Sequence, residues 1–570
     1  MMNHLYYGDN LGILREHIEE ESIDFVYLDP PFNSQATYNV LFRSLAGEQS
    51  PAQIEAFADT WHWTDEAEKA FDDVMTSGNT DVAEMLRALR LFLKENDVMA
   101  YLTMITVRLL ELHRILKSTG SLYFHCDPTA SHYLKVLLDG VFGIRNFRNE
   151  IIWRRTGSHN STKRYGPIHD VIFYYTKTNT YTWNRLRRPY MRGHVEKAFV
   201  QEGDLYRTNY SGNILTGSGR RFGISGQPWR GFDPTVKNRH WALPGVLLEG
   251  FEEEVAELDQ HQKMDFLYKK GFITINEGDE WPRYQHLLTT EDGQYLSDIW
   301  AYQPYTEGTV FGTDEGIDDD IRWMGSKDSE RLGYQTQKPI GLLQRIIAAS
   351  STVGDVVLDP FCGCGTTVHT AQKLERRWIG IDITHLAISL IEKRLNDAFP
   401  GIVYEVHGTP KDVGGARELA AHNKYQFQWW AVSLVNAVPF GGKKKGADTG
   451  IDGHIYFKPD GKTTEKAIVS VKGGENVGVA MIRDLAHVVD REQAKIGVFI
   501  TLAEPTGPMR TEAVKTGFYE SPFSGKIPKI QLFTIAELFA GQKPHIPLVD
   551  ATVFKKAKLE TTAQQGTLWK

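Results

Sequence analysis

At 570 residues the chain is too long for one hydrophobic core and is expected to divide into two to four domains. Its 41% apolar and 24% charged content is that of an ordinary globular protein, and no apolar run approaches the roughly 20 residues that cross a bilayer, so no membrane partner is expected. The net charge of −8 argues against a polyanionic ligand, but residues 151–240 hold sixteen Lys or Arg against five Asp or Glu, a local +11 that leaves −19 on the remainder. Trp153, Tyr165, Tyr181, Trp183, Tyr190, Tyr206, Tyr210, Phe222, Trp229 and Phe232 run through the same stretch, a mixture suited to phosphate neutralisation and base stacking. Three cysteines, Cys126, Cys362 and Cys364, cannot build a disulfide framework, which points to a reducing cytoplasm. The Cys362–Cys364 spacing is too tight, and too short of partners, for a zinc site.

In chain order, Leu5–Asn10 reads as a short strand and an acidic turn. Ile23–Leu28 is an apolar run closed by Asp29-Pro30-Pro31-Phe32, the pattern of a buried parallel strand whose C-terminal end carries a loop. A polar, aromatic insertion follows from Asn33 to about Asn79. Helical periodicity then runs from Val82 to Lys117, with Leu86, Leu89, Leu93, Tyr101, Ile105, Leu109 and Leu112 on one face, and Gly120 stops it ahead of a strand. His169–Lys177 is a further strand. The rhythm fades over 181–330, which is rich in Gly, Arg and aromatic residues, with an acidic helix expected as scaffolding over 247–262. From Pro339 a helix leads to the strand Val356–Leu358, the loop Asp359–Thr367 and a helix to Leu374. Trp378–Asp382 is the next strand, and Thr384 caps a helix through Leu395. Residues 401–424 are expected to be a linker, 425–545 a separate domain and 546–570 a polar tail.

Ligands of open α/β sheets bind at the C-terminal ends of strands. Asp29–Phe32 and the loop Asp359-Pro360-Phe361-Cys362-Gly363-Cys364-Gly365-Thr366-Thr367, 330 residues further on, therefore suggest a base-handling site beside a cofactor site. The first segment offers a carboxylate, two prolines that accept but cannot donate hydrogen bonds, and a ring for stacking. The second is a glycine-rich turn into a helix that lets backbone approach a cofactor closely; no Walker lysine follows it, which excludes a P-loop.

In this order the two segments resemble the catalytic and cofactor motifs of the permuted β group of DNA amino-methyltransferases, which modify adenine N6 or cytosine N4 with S-adenosylmethionine. Leu5–Asn10, Gly120–Asp127, His169–Lys177 and Thr336-Gln337-Lys338-Pro339 extend the resemblance to six ordered segments over about 400 residues. It implies an α/β fold: a Rossmann-like, S-adenosylmethionine-dependent methyltransferase sheet built from a catalytic half, 1–180, and a cofactor half, 331–400, with a target-recognition region inserted at 181–330. It also implies that Asp29 and Pro30 accept hydrogen bonds from the target amine. Pro31 and Phe32 complete the catalytic loop, Phe32 stacking on a base flipped out of double-stranded DNA. The implied cofactor residues are Asp9 near the adenine, Thr336 and Lys338 toward the methionine end, Asp359, Phe361, Gly363, Gly365 and Thr366 in the loop, and Asp382 on the ribose hydroxyls. An Asp at position 29 resembles the adenine enzymes, since cytosine-N4 enzymes more often carry Ser there; cytosine N4 stays the alternative. Phe32 stands where Tyr is commoner and keeps the stacking face without the hydroxyl.

Gly446–Gly453 followed by Ile468–Lys472 resembles the Mrr-like branch of the PD-(D/E)xK nuclease fold. This implies a smaller α/β, restriction-endonuclease-like C-terminal domain in which Asp452 is a ligand of Mg2+ and Lys472 positions water. Ser470 replaces the acid two residues before the lysine, so cleavage, and DNA binding without cleavage, are both left open. Asp448 or Gln493 could compensate only if the fold brings them close, and Lys443, Lys444 and Lys445 would hold phosphate. A restriction factor whose nuclease dominates is a further alternative. The resemblance implies a prokaryotic or phage setting, and the oligomeric state is open between a monomer and a homodimer.

Overall fold

The computed structural model describes residues 2–547 and Glu560, apart from 32–36, 44–48, 59–61, 158–162, 164, 203–204, 209–213, 249, 286–287, 289–291, 326–327, 333, 335, 441–449 and 461–462. Two compact units are present, one of 1–186, 297–302 and 320–568, the other of 187–296 and 303–319. Among the described residues, no helix is long and apolar enough to cross a membrane.

The first unit is built on a nine-stranded sheet of β1 (Asn3–Tyr7), β2 (Ile23–Leu28), β3 (Leu116–Cys126), β4 (Phe147–Arg154), β5 (His169–Thr176), β6 (Ile299–Trp300), β7 (Val356–Asp359), β8 (Arg377–Asp382) and β9 (Tyr404–His407). Their order is β6-β4-β5-β3-β2-β7-β8-β1-β9, and β5 alone runs against the others. The central strands β2 and β7 and the second half of β3 are buried on both faces, which is why they read as largely apolar runs rather than alternating ones. β2 and β7, far apart in the chain, are parallel neighbours with Phe25 opposite Val357 and Val26 opposite Leu358. Asp29 and Asp359 therefore emerge side by side.

The helices on this sheet are α1 (Asn10–His17), α2 (Thr80–Leu93), α3 (Asp97–Ile115), α4 (Ile340–Ser350), α5 (Thr366–Lys373) and α6 (His385–Ala398). The single helical period expected over 82–117 is thus two helices. Lys94 takes a left-handed φ of 63°, and the Asn96 side chain accepts from Met99 N at 2.9 Å to start the second helix. Gly120 does not precede β3 but lies within it, where the pairing slips between Ile23–Leu116 and Phe25–Ser121. Thr384 caps α6 as expected, accepting from Ala387 N at 3.1 Å.

Residues 401–424 are not a plain linker, because Tyr404–His407 forms β9 beside β1 and Val413–His422 is helical. The C-terminal part begins with α7 (Lys424–Leu434) and has a five-stranded sheet of β10 (Val438–Pro439), β11 (Gly453–Phe457), β12 (Glu465–Lys472), β13 (Ile496–Thr501) and β14 (Ile530–Thr534), paired in that order. Of the tail expected at 546–570, only 546–547 and Glu560 fall within the described residues.

The second unit is held by an aromatic-rich core in which Trp229, Trp241 and Trp281 surround Met264 and Leu267. Within the span 247–262 expected to be helical, an α-helical turn forms at Glu252–Val255, and a longer helix starts at Gln260 and runs to Lys269, where Asp259 and Gln262 make a reciprocal capping box at its start. Two of the aromatics expected to contact bases, Trp153 and Trp229, are buried core residues, whereas Tyr165 and Phe222 are fully exposed.

A methyl group on Gly120 would lie 2.6 Å from Cγ of the fully buried Leu116. Gly120→Ala should destabilise the protein by about 1–3 kcal/mol, read as a lower urea midpoint with an unchanged slope.

Candidate active site

The C-terminal ends of β1, β2, β7 and β8 surround a cavity of about 290 Å³. Four short loops build it, each made of residues that suit a strand end: Gly8-Asp9-Asn10, Asp29-Pro30-Pro31, Asp359–Thr367 and Asp382-Ile383.

Asp29, at the end of β2, pairs through Oδ2 with the Lys338 ammonium, which reaches it from the segment leading into α4. Asp29 Oδ1 lies 4.0 Å from Nδ1 of His125, a fully buried residue of β3. The His125 ring is fixed from two sides. Its Nε2 lies 3.2 Å from Asp170 Oδ2 and its Nδ1 2.8 Å from the Tyr27 hydroxyl, so Nε2–H donates to the carboxylate and the tyrosine donates to Nδ1. Arg155 Nε stands 3.1 Å from the other Asp170 oxygen. Burial pushes the Asp170 carboxyl up, but the His125 hydrogen bond and the nearby cations outweigh it and hold the group below its ordinary range.

The glycine loop is fixed by backbone and by Arg394. Gly363 and Gly365 take left-handed φ values of 53° and 76°. A Cβ at Gly365 would meet Ile391 Cγ1 at 2.8 Å, so this position is closed to larger residues. Arg394, buried on α6, donates from Nη1 to the Cys364 carbonyl at 3.2 Å and to Thr366 Oγ1 at 3.0 Å. Behind the loop, Trp429 of α7 packs with Tyr334, Cys364 and Leu386, and the Gln426 side chain accepts from His385 N at 3.1 Å. The first helix of the C-terminal part thus supports the loop.

Asp382 Oδ2 accepts from Gly363 N at 2.9 Å, and its Oδ1 accepts from Thr384 N at 2.9 Å and Thr384 Oγ1 at 3.0 Å. Oδ1 thus accepts two hydrogen bonds, and Oδ2 keeps a second lone pair to offer a ligand. Burial pushes the Asp382 carboxyl up to about 6. Asp359, deeper still, is pushed up to about 7 by burial, with Asp29 and Asp382 adding repulsion. On the far side, Asp9 Oδ1 accepts from Arg108 Nη2 at 2.7 Å, Arg108 Nε donates to Asn10 Oδ1 at 2.6 Å, and Asn10 Nδ2 donates to the Pro360 carbonyl at 2.8 Å. One chain of bonds therefore ties α3, the loop after β1 and the glycine loop together.

Of the residues expected at the site, Asp9, Asp29, Pro31, Thr336, Lys338, Asp359, Phe361, Gly363, Thr366 and Asp382 line the cavity. Pro30 is buried and Gly365 packs beneath the loop, neither of them on the lining; Phe32 lies outside the described residues. Lys338, expected at the methionine end, is joined to Asp29. Tyr27, Arg108 and Tyr334 also line the cavity and were not singled out from sequence, and neither was His125 behind it. Arg108, set between Val107 and Leu109 on the buried part of α3, was the available signal, since a buried guanidinium needs a partner.

In the C-terminal sheet, Asp452 Oδ2 accepts from Val471 N at 2.6 Å, and Ser470 is buried on β12. Among the described residues no three His, Cys, Asp or Glu side chains converge at Asp452. With a serine in the acid's position, the described residues by themselves do not complete a Mg2+ site. Asp448 and Lys443–Lys445 lie outside the described residues.

Asp359 and Asp382 bind protons more tightly folded than unfolded, since both lie above the ordinary 3.8. The folded state then holds the extra protons across about pH 4–7, and this contribution to stability is lost as pH rises through that window. Asp359→Asn should flatten the decline: between about pH 5 and 7.5 the thermal midpoint of donor-free protein should fall further for wild type than for the variant. Equal slopes would remove Asp359 from the account.

Residues 23–393 match the family model described as DNA methylase, and 419–540 match the model described as restriction endonuclease. The chain is 27% identical over 399 residues to the type II methyltransferase M.EcaI of Enterobacter cloacae, covering 69% of each. It is 23% identical to the StyLTI Mod subunit, a type III restriction-modification enzyme of Salmonella typhimurium, over 64% of this chain and 49% of that one. The chain thus spans about half the length of that subunit. Similar solved structures include the M1.HpyAVI–SAM complex, at 12% identity over 69% of this chain and 98% of that one with a TM-score of 0.30. Another is the cytosine-N4-specific PvuII DNA methyltransferase, at 12% over 68% and 85% with a TM-score of 0.31. With its model matched over two-thirds of the residues, the chain belongs to the N6/N4 DNA methylase family and carries a restriction-endonuclease-type domain behind the methylase.

Proposed function

We propose that this methylase transfers a methyl group to N6 of an adenine flipped out of double-stranded DNA. The observation that carries the reading is the adjacency of Asp29 and the glycine loop in one cavity, set by the pairing of β2 with β7. S-adenosylmethionine is the methyl donor of the family, and when bound it supplies an electrophilic sulfonium methyl. The lining suits it: glycines that admit close approach, Asp382 and Asp9 as acceptors for hydroxyl and amine groups, and no P-loop lysine.

An exocyclic amine is a weak nucleophile because its lone pair is delocalised into the ring. Asp29 and the Pro30 carbonyl answer this by accepting from the NH2 group, which favours a pyramidal nitrogen. Lys338 holds Asp29 by Oδ2 and leaves Oδ1 facing the amine. Proline at 30 and 31 keeps competing donors away. An aspartate at position 29 favours adenine over cytosine N4. The surface of the second unit, where Arg220, Arg221 and Phe222 are exposed on one turn, is the proposed DNA-holding face. Since Ser470 stands where the second carboxylate is expected and the described residues supply no other beside Asp452, the C-terminal domain is proposed to bind DNA.

Three outcomes test this reading. Mass spectrometry of nucleosides from DNA treated with the enzyme and donor should show N6-methyladenine, and Asp29→Ala should abolish it while leaving donor affinity near wild type; N4-methylcytosine instead would overturn the choice of base. Asp382→Ala should weaken the donor by about ten- to a hundredfold, the roughly 1.5–3 kcal/mol of a charged hydrogen bond, measured by calorimetry. Replacing Arg220 and Arg221 with Ala should lower DNA affinity and reduce the slope of log affinity against log salt by about 1–2. An unchanged slope would place the phosphate contacts elsewhere.

A further inference from the structure

At the edge of the large sheet, on the strands β1 and β9, three side chains converge that take no part in the cavity. The parallel register sets His4 opposite Glu405 and Tyr6 opposite His407, so all four project from one face. His4 Nδ1 lies 3.0 Å from His407 Nε2, and Glu405 Oε2 lies 3.6 Å from the first and 3.5 Å from the second. These are the one set of three or more His, Cys, Asp or Glu ligand atoms among the described residues close enough to share a cation.

We propose that His4, Glu405 and His407 bind a divalent transition-metal cation of the zinc class. A circle through three atoms with sides of 3.0, 3.5 and 3.6 Å has a radius of about 2.0 Å, so a point exists at that distance from all three. That is the zinc–nitrogen and zinc–carboxylate bond length of roughly 2.0–2.2 Å. A hydrogen bond between the two imidazoles explains only one side of the triangle, because a single N–H cannot also serve Glu405 Oε2 from both rings. Two imidazoles and one carboxylate are borderline ligands that favour zinc, cobalt or nickel over magnesium or calcium. The His407 ring is already oriented, stacked on Tyr6 at 4.5 Å and 17°, and Tyr6 in turn stacks on His17 at the C-terminal end of α1. Helix C-termini favour cations. All three ligands are partly open to solvent, which gives an ion a path in and leaves room for water as the fourth ligand. Bound there, the ion would pin the short edge strand β9 to β1.

The test uses untagged, full-length, donor-free protein at about pH 7.5, where neutral imidazole is the ligand form. Calorimetric titration with Zn2+ should show one equivalent bound, and Co2+ should give the visible absorption of a four-coordinate site. His407→Ala and His4→Ala should each weaken binding by more than the roughly 10–100-fold that loss of an outer-shell partner costs. Glu405→Gln, on a half-exposed side chain, guards against a folding defect and should also weaken Zn2+, with methylation unchanged. No saturable Zn2+ binding by wild type, or the same affinity in Glu405→Gln and in either histidine variant, would overturn the proposal.

Discussion

The parallel pairing of β2 with β7 is the constraint on which the rest depends. Two strands more than 300 residues apart meet in register, Phe25 against Val357 and Val26 against Leu358, and end at the same level. An acid-bearing proline loop and a glycine loop are then neighbours without any long excursion of backbone. A slip of one residue would reverse the face of every following side chain and direct Asp29 away from the cavity. Apart from the half-buried Asp24 near the start of β2, every residue of the two strands is buried, and this opposes the slip.

Besides the more exposed Asp9, three carboxylates, Asp29, Asp359 and Asp382, line this small space, and burial pushes Asp359 and Asp382 up. Each is managed differently. Asp29 has a lysine, Asp382 has three protein donors, and Asp359 is left deepest with its carboxyl pushed highest. Arg394 and Arg108 hold the two loops that frame this arrangement through backbone carbonyls and side-chain amide or carboxylate oxygens.

The methylase and the endonuclease-type domain are joined more closely than a linker would join them. Residues expected to connect them supply an edge strand of the methylase sheet, and α7 places Trp429 against Cys364 and Tyr334, directly behind the glycine loop. A change of conformation in that helix would be felt at the loop, because the tryptophan fills space that the loop needs for support.

From the sequence alone the order of motifs, the sheet-forming runs and the glycine loop could be read, because each answers a local demand: an apolar strand, a proline that cannot donate, a glycine at positive φ, a capping Thr384; ten of the cavity-lining residues came instead with the family resemblance that those motifs carry. What only the tertiary structure decided is who meets whom. Lys338 reaches Asp29, His125 and Asp170 join across an antiparallel strand pair, and Arg108 finds Asp9 and Asn10 on another helix. The break at Lys94, the bulge at Gly120 and the role of 404–407 as a strand were likewise invisible, since periodicity records which face of an element is apolar and not where the chain interrupts it or what it packs against. Polar pairs of this kind are formed between residues distant in sequence and held in one rotamer by burial, so the partner of each is specified by the fold and by nothing in its neighbours along the chain.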